Sequence, residues 1–155
     1  MEIRRARPAD SADIMRLLLQ VLTVHHEERP DLFKGNATKY TEKQLLEIIA
    51  DDTRPIFVMA DGEKVVGYAF CIFVQHKDDN ILTDIKTLYI DDLCVDESAR
   101  GRHIGQALYG HVLDFAKKEG CYNVTLNVWA ENTAAMKFYE HCGLKPQKIG
   151  MEKIL

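Results

Sequence analysis

Between Val95 and Gly105 the chain reads Val-Asp-Glu-Ser-Ala-Arg-Gly-Arg-His-Ile-Gly, after an apolar strand-like run and before an amphipathic helix-like run. A strand that feeds a helix through a tight loop leaves the first amides of the helix unbonded, and the helix dipole adds positive charge there. Phosphate suits such a place. Gly101 and Gly105 carry no Cβ to hold a ligand off the backbone, while Arg100 and Arg102 supply planar cations that match phosphate oxygens. Arg100 to Gln106 therefore form a candidate anion cradle. A plain strand-to-helix turn with two solvated arginines would use the same residues, and the loop alone does not separate the two. The nucleotide fingerprints G-x-x-x-x-G-K-[ST] and G-x-G-x-x-G are absent.

The strand before this loop carries Asp91 and Asp92 ahead of Leu93-Cys94-Val95. Carboxylates in an apolar strand are costly to bury unless they face a wet cleft or a partner. Successive strand residues point to opposite faces, so only one of the two faces a cleft unless a bulge re-aims them. Downstream, Asn132-Thr133-Ala134-Ala135-Met136-Lys137-Phe138-Tyr139 reads as a capped helix, and Gly143-Leu144 as its exit.

Leu93-Cys94-Val95, the Arg100-to-Gly105 loop and the Asn132-to-Leu144 segment together resemble the two hallmarks of the GNAT superfamily of N-acetyltransferases. His103 stands where that family usually has its first loop glycine, and His tolerates a left-handed backbone better than most residues. The resemblance covers roughly the whole chain and implies acetyl-CoA as cosubstrate and no metal. It implies contacts to acetyl-CoA from Leu93, Val95, Arg100, Gly101, Arg102, His103, Ile104, Gly105, Gln106 and Asn132.

The implied reaction is acetyl transfer to a primary amine by direct attack in a ternary complex. At pH 7 an alkylammonium is deprotonated only about one part in ~2,500, a penalty of roughly 4.6 kcal/mol that a positioned base partly removes. Asp91 is the favoured base or ammonium anchor, with Asp92 beside it; relatives that place a Glu on the following strand have Asn127 here. Main-chain amides near Leu93 and Val95 would polarise the thioester, and Tyr139 would return the proton to the thiolate. Glu28 and Phe33 border the acceptor region in such a fold, with Asp92 as a substrate contact. Structural roles for each remain open: a solvated strand end for the aspartates, a core ring for Tyr139, a helix cap for Asn132.

A net charge of −4 disfavours nucleic acid as partner and is mildly favourable to cationic substrates. No apolar run reaches membrane-spanning length, and Met1-Glu2-Ile3-Arg4-Arg5 is no signal sequence, so a cytoplasmic protein without membrane partners is expected. Cys71, Cys94, Cys121 and Cys142 lack C-x-x-C spacing and read as reduced packing residues, and Trp129 as a surface or packing ring. The acceptor is expected to be a small molecule: a polyamine, amino acid or aminoglycoside-like amine. A protein N-terminus or lysine and a non-catalytic CoA sensor stay open, as does a homodimer through an edge strand.

The 155 residues suffice for one domain, 1–155, with an ordinary core. Apolar spacing predicts helices at Ile14 to Leu22, from a Thr41-Glu42-Lys43-Gln44 capping box, and from Ile104 to Lys118. Strands are predicted at Glu2 to Ala6, Ile56 to Ala60, Val65 to Val74, Leu82 to Val95 and Tyr122 to Val128, with a further one near Met151 to Leu155. The order implies an α/β (α+β) fold, a mixed, mostly antiparallel sheet flanked by helices on both faces.

Overall fold

The computed structural model describes residues 1–155. One sheet runs in chain order: β1 (Glu2–Arg5), β2 (Ile56–Asp61), β3 (Lys64–Gln75), β4 (Lys86–Val95) and β5 (Asn123–Leu126). The first four strands pair antiparallel, and β5 joins β4 in parallel. Helices α1 (Ser11–Glu28) and α2 (Glu42–Ile49) cover one face and α3 (Ile104–Lys118) the other, and α4 (Thr133–His141) follows β5.

The α1 stripe Ile14, Leu17 and Leu18 packs with Leu45 and Ile48 of α2 against Tyr68, Phe70 and Cys94. Each such fully buried aliphatic side chain stabilises by about 1.5–3 kcal/mol. On the opposite face Tyr109, Val112 and Ala116 of α3 meet Phe57, Ala69, Leu88 and Ile90. The expected capping box forms at α2: Thr41 Oγ1 accepts from the Gln44 amide at 3.1 Å, and Gln44 Oε1 accepts from the Thr41 amide at 2.9 Å. Gly120, with φ +74°, follows α3, and Gly143, with φ +95°, follows α4, where the Leu144 amide donates to Tyr139 O at 3.1 Å. All four cysteines are free thiols, Cys71 and Cys94 buried and the other two half-buried.

Three strand expectations are corrected. β4 begins at Lys86, not Leu82, because the Asp79 carboxylate accepts the Ile81 and Leu82 amides and Gln75 closes on Asp84 O, which ties residues 79–84 into a loop. β5 is confined to Asn123–Leu126, since its ladder with β4 ends at the Ile90–Leu126 pair. Met151 to Leu155 form no strand: the segment after Leu144 pairs with no ladder, and Ile149, Met151, Ile154 and Leu155 are exposed.

Candidate functional site

The parallel β4–β5 ladder stops at Ile90, so the last residues of β4 have no strand on that side. The Asp96 amide donates to Val66 O on β3, and amides of successive strand residues turn to opposite sides. Those of Leu93 and Val95 therefore point toward the open side, where a ligand carbonyl can accept from them.

On its other side β4 carries a bulge. The register with β3 slips between Phe70 and Cys71, opposite Asp91, and this extra residue changes the facing of the residues after it. Ile90 lies in the α3-side core, whereas both Asp91 and Asp92 reach the α1–α2 side. Asp91 is held there by Lys39 Nζ at 2.9 Å and by the Tyr40 hydroxyl at 2.5 Å, with Arg54 donating to the same phenol at 3.3 Å. Asp92 accepts from the buried Tyr68 hydroxyl at 2.7 Å and has no cation within salt-bridge reach. Burial raises its pKa above the usual carboxylate range, helped by the Asp91 charge and opposed by the Tyr68 bond and Lys39.

Tyr139 lies half-buried on α4, against Phe138 with ring centroids 5.1 Å apart. Burial raises its pKa first, and the charge of Asp92 adds to this, so the phenol stays protonated. The structure thus brings Asp92 and Tyr139 into one electrostatic neighbourhood and leaves Asp91 in a closed network. Asn127, beyond β5, donates to the Tyr89 hydroxyl at 3.2 Å.

Beyond β4 a single 3-10 turn, Glu97–Ala99, leads to Arg100, Gly101 (φ +81°) and His103 (φ +59°), the residue before α3. His103 caps with no side-chain bond, and the first intrahelical bond runs from the Ala107 amide to His103 O at 3.1 Å. The amides of Ile104, Gly105 and Gln106 are accordingly unpaired within the chain, and a Cβ at Gly101 would meet nothing within 4 Å. These features fit a pyrophosphate. Gly105 has a different reason to be glycine: a Cβ there would sit 3.2 Å from the Phe138 ring, so it lets α3 and α4 approach. Of the two arginines, Arg100 is exposed and unengaged, while Arg102 leans 3.6 Å from Asp61 on β2. Asn132 caps α4, accepting from the Ala135 amide at 3.1 Å.

The loop rests on Asp96, which sequence reasoning misses because one acid in a strand-end loop has no distinctive spacing. It is 3% exposed, bonds Arg16 at 2.7 Å and accepts the Ser98 amide at 3.1 Å. Burial pushes its pKa up, but the Ser98 amide, Arg16 and Gln20 overcome this and hold it well below the usual range.

At the end of α1, His25 stacks on Phe33 with centroids 5.0 Å apart, and Phe33 meets Trp129 edge-on at 5.4 Å. The fold thereby makes Trp129 the far wall of this aromatic group. Arg29 donates to Asp31 at 2.8 and 2.9 Å and to Glu152 at 2.6 Å, and lies 3.6 Å from Glu131. His25 Nδ1 and Glu28 Oε2 are shielded and have no partner. No group of three or more His, Cys, Asp or Glu side chains is placed to hold a metal, and no helix is long and apolar enough to cross a membrane.

Residues 21–144 match the Acetyltransferase (GNAT) family. The chain is 37% identical over 68 residues to glucosamine 6-phosphate N-acetyltransferase of Arabidopsis thaliana, a match spanning 44% of each chain. It is 26% identical to thialysine N-epsilon-acetyltransferase of Mus musculus over 91% of this chain and 82% of that one. A mutant of the BH1408 protein from Bacillus halodurans superposes with a TM-score of 0.95 at 31% identity, covering 100% of this chain and 99% of its own.

Proposed function

The chain belongs to the Acetyltransferase (GNAT) family of acetyl-transferring enzymes, and we propose that it moves the acetyl group of acetyl-CoA to a small-molecule primary amine by direct attack in a ternary complex. The observation that carries this reading is the junction at β4: one strand presents a weakly compensated carboxyl, Asp92, then two outward amides, Leu93 and Val95, then the phosphate-fitting loop. Named activities among the relatives, on glucosamine 6-phosphate and on thialysine, both end on an amine.

Asp92, not Asp91, takes the proton-accepting role. A carboxylate tied to Lys39 and Tyr40 has its lone pairs engaged, whereas Asp92 has one hydrogen bond and an environment that favours accepting a proton. Asp92 removes a proton from the ammonium, directly or through a water. The amine lone pair then forms the C–N bond at the thioester carbon, and the carbonyl electrons move onto oxygen beside the Leu93 and Val95 amides. As the tetrahedral species collapses, the C–S bond breaks and the Tyr139 hydroxyl protonates the departing sulfur. As the carbonyl re-forms, the attacking nitrogen sheds its second proton, which restores the Tyr139 hydroxyl through solvent, and the proton held by Asp92 passes to bulk water, so one proton is released per acetyl transferred.

Arg100, the Gly101 turn and the Ile104, Gly105 and Gln106 amides would hold the pyrophosphate. Arg102, leaning on Asp61, contributes less, and Asn132 acts as the α4 cap. Release of free CoA, assayed across a panel of small amines with product mass as control, tests the function. Amine-dependent CoA release with acetylated amine is expected. Tight acetyl-CoA binding without turnover on any amine would instead mark a sensor, and turnover only on peptides would mark a protein acetyltransferase.

A further inference from the structure

We propose that Tyr68 is a positioning residue for acetyl transfer: its hydroxyl holds Oδ2 of Asp92 and leaves Oδ1 to take the ammonium proton. This rests on the amine-transfer reading above, with Asp92 as the proton acceptor. The hydroxyl donates to Asp92 Oδ2 at 2.7 Å, the one hydrogen bond that the carboxylate receives from the chain. Asp92 Oδ1 has no partner, and unlike His25 Nδ1 and Glu28 Oε2 it keeps surface open to solvent. One oxygen is fixed and the other is free.

The donor itself has little freedom. Tyr68 is fully buried, packs in the core of Ile14, Leu17 and Leu18, and meets the Phe70 ring edge-on with centroids 4.9 Å apart. In the β3–β4 ladder it pairs with Cys94, and Asp92, two residues earlier on β4, is its diagonal neighbour on the same face, within reach of a long side chain. Burial first, and then the Asp92 charge, raise the pKa of the phenol well above its ordinary value, so it donates a hydrogen bond and keeps its proton. Asp91, Lys39 and His25 also act on the Asp92 charge, and that charge acts on Cys94 and Tyr139. None of these side chains bonds the carboxylate. The Tyr68 bond favours the ionised form and so governs how low in pH Asp92 still accepts a proton.

The test compares the full chain with its Tyr68→Phe variant, which keeps the ring. Three readouts are used: kcat/KM across pH for an amine taken from the CoA-release panel, carbon NMR titration of the Asp92 carboxyl in protein saturated with CoA, and thermal melts. The acid limb and the Asp92 titration are both expected to move up by about one pH unit, which is about tenfold in kcat/KM on the acid side, for the loss of one hydrogen bond to an ionised group. On the alkaline plateau kcat should stay reduced with the KM for acetyl-CoA unchanged, because an untethered carboxyl meets the ammonium in productive geometry less often. In an Asp92→Asn background, where no carboxylate is left uncompensated, Tyr68→Phe should cost no further activity. A limb and a titration that stay in place, one equal loss at every pH, or losses that add in the double variant overturn the proposal. A shifted Asp92 titration with no acetylated amine from the wild type would overturn the transfer reading and leave the coupling of Tyr68 to Asp92 standing.

Discussion

The Tyr68 hydroxyl donates to Asp92 at 2.7 Å while the adjacent Asp91 lies 2.9 Å from Lys39 Nζ, so two neighbouring carboxylates of one strand meet opposite electrostatic surroundings. A single bulge in β4 at Asp91, between the Ile90–Cys71 and Asp92–Phe70 pairs, produces this by turning both side chains to the same face. Two like groups in unlike environments are what separate a proton acceptor from a structural anion.

Replacing Asp92 by Asn should lower kcat/KM by about 10²–10⁴-fold at neutral pH, with partial recovery at high pH as free amine accumulates. Since burial raises the Asp92 pKa, the acid limb of the wild-type profile should lie above the usual carboxylate range, with activity rising as pH increases through it. Asp91→Asn should lower thermal stability and reduce activity by the same factor at every pH. Paired pH–rate profiles check both.

Tyr139→Phe keeps the ring against Phe138 and removes only the hydroxyl. A fall in kcat of about 10²-fold with the KM for acetyl-CoA nearly unchanged is expected, because the proton is needed only as the thiolate departs. Steady-state kinetics with a thermal melt as folding control measures it.

Arg100→Ala should raise the KM for acetyl-CoA about tenfold, the loss of one charge-assisted contact. Arg102→Ala should change it about twofold or less, because Arg102 leans on Asp61. Substitutions at Gly105, even to Ala, should lower the melting temperature as well as acetyl-CoA binding, since the new Cβ meets the Phe138 ring at 3.2 Å.

Asp96 and Asp10 have folded-state pKa values held below the usual range; Asp96 is held by the Ser98 amide and Arg16 against burial, and Asp10 chiefly by Arg4. Groups depressed in this way contribute stability above an unfolded pKa of about 3.9 and lose it as pH falls. Melting temperature should therefore drop steeply below about pH 4, and Asp96→Asn should be less stable at neutral pH with a flatter acid limb. Thermal melts across pH check the slope.

The loop from Arg100 to Gly105, the α2 capping box and the Asn132 cap were legible because each depends on residues within a few positions of one another. The choice between Asp91 and Asp92 was not, because it turns on Lys39 and Tyr40, which lie 52 and 51 residues away. A period-two reading of β4 faces its residues correctly only up to the bulge. Gly105 was legible as a required glycine, while its reason, the Phe138 ring on α4, depends on how two helices meet. The Arg29 node with Glu131 and Glu152 joins segments more than a hundred residues apart and left no local trace.

Direct transfer on Asp92 is tested most closely by initial velocities over a grid of acetyl-CoA and amine concentrations, together with intact-mass analysis after incubation with acetyl-CoA alone. Intersecting double-reciprocal lines in the wild type, no acetyl-protein adduct, and loss of amine-dependent turnover in a folded Asp92→Asn protein are the predicted results. Parallel lines with an acetylated protein that passes its acetyl group to amine, or an Asp92→Asn variant with full turnover at neutral pH, would contradict the account.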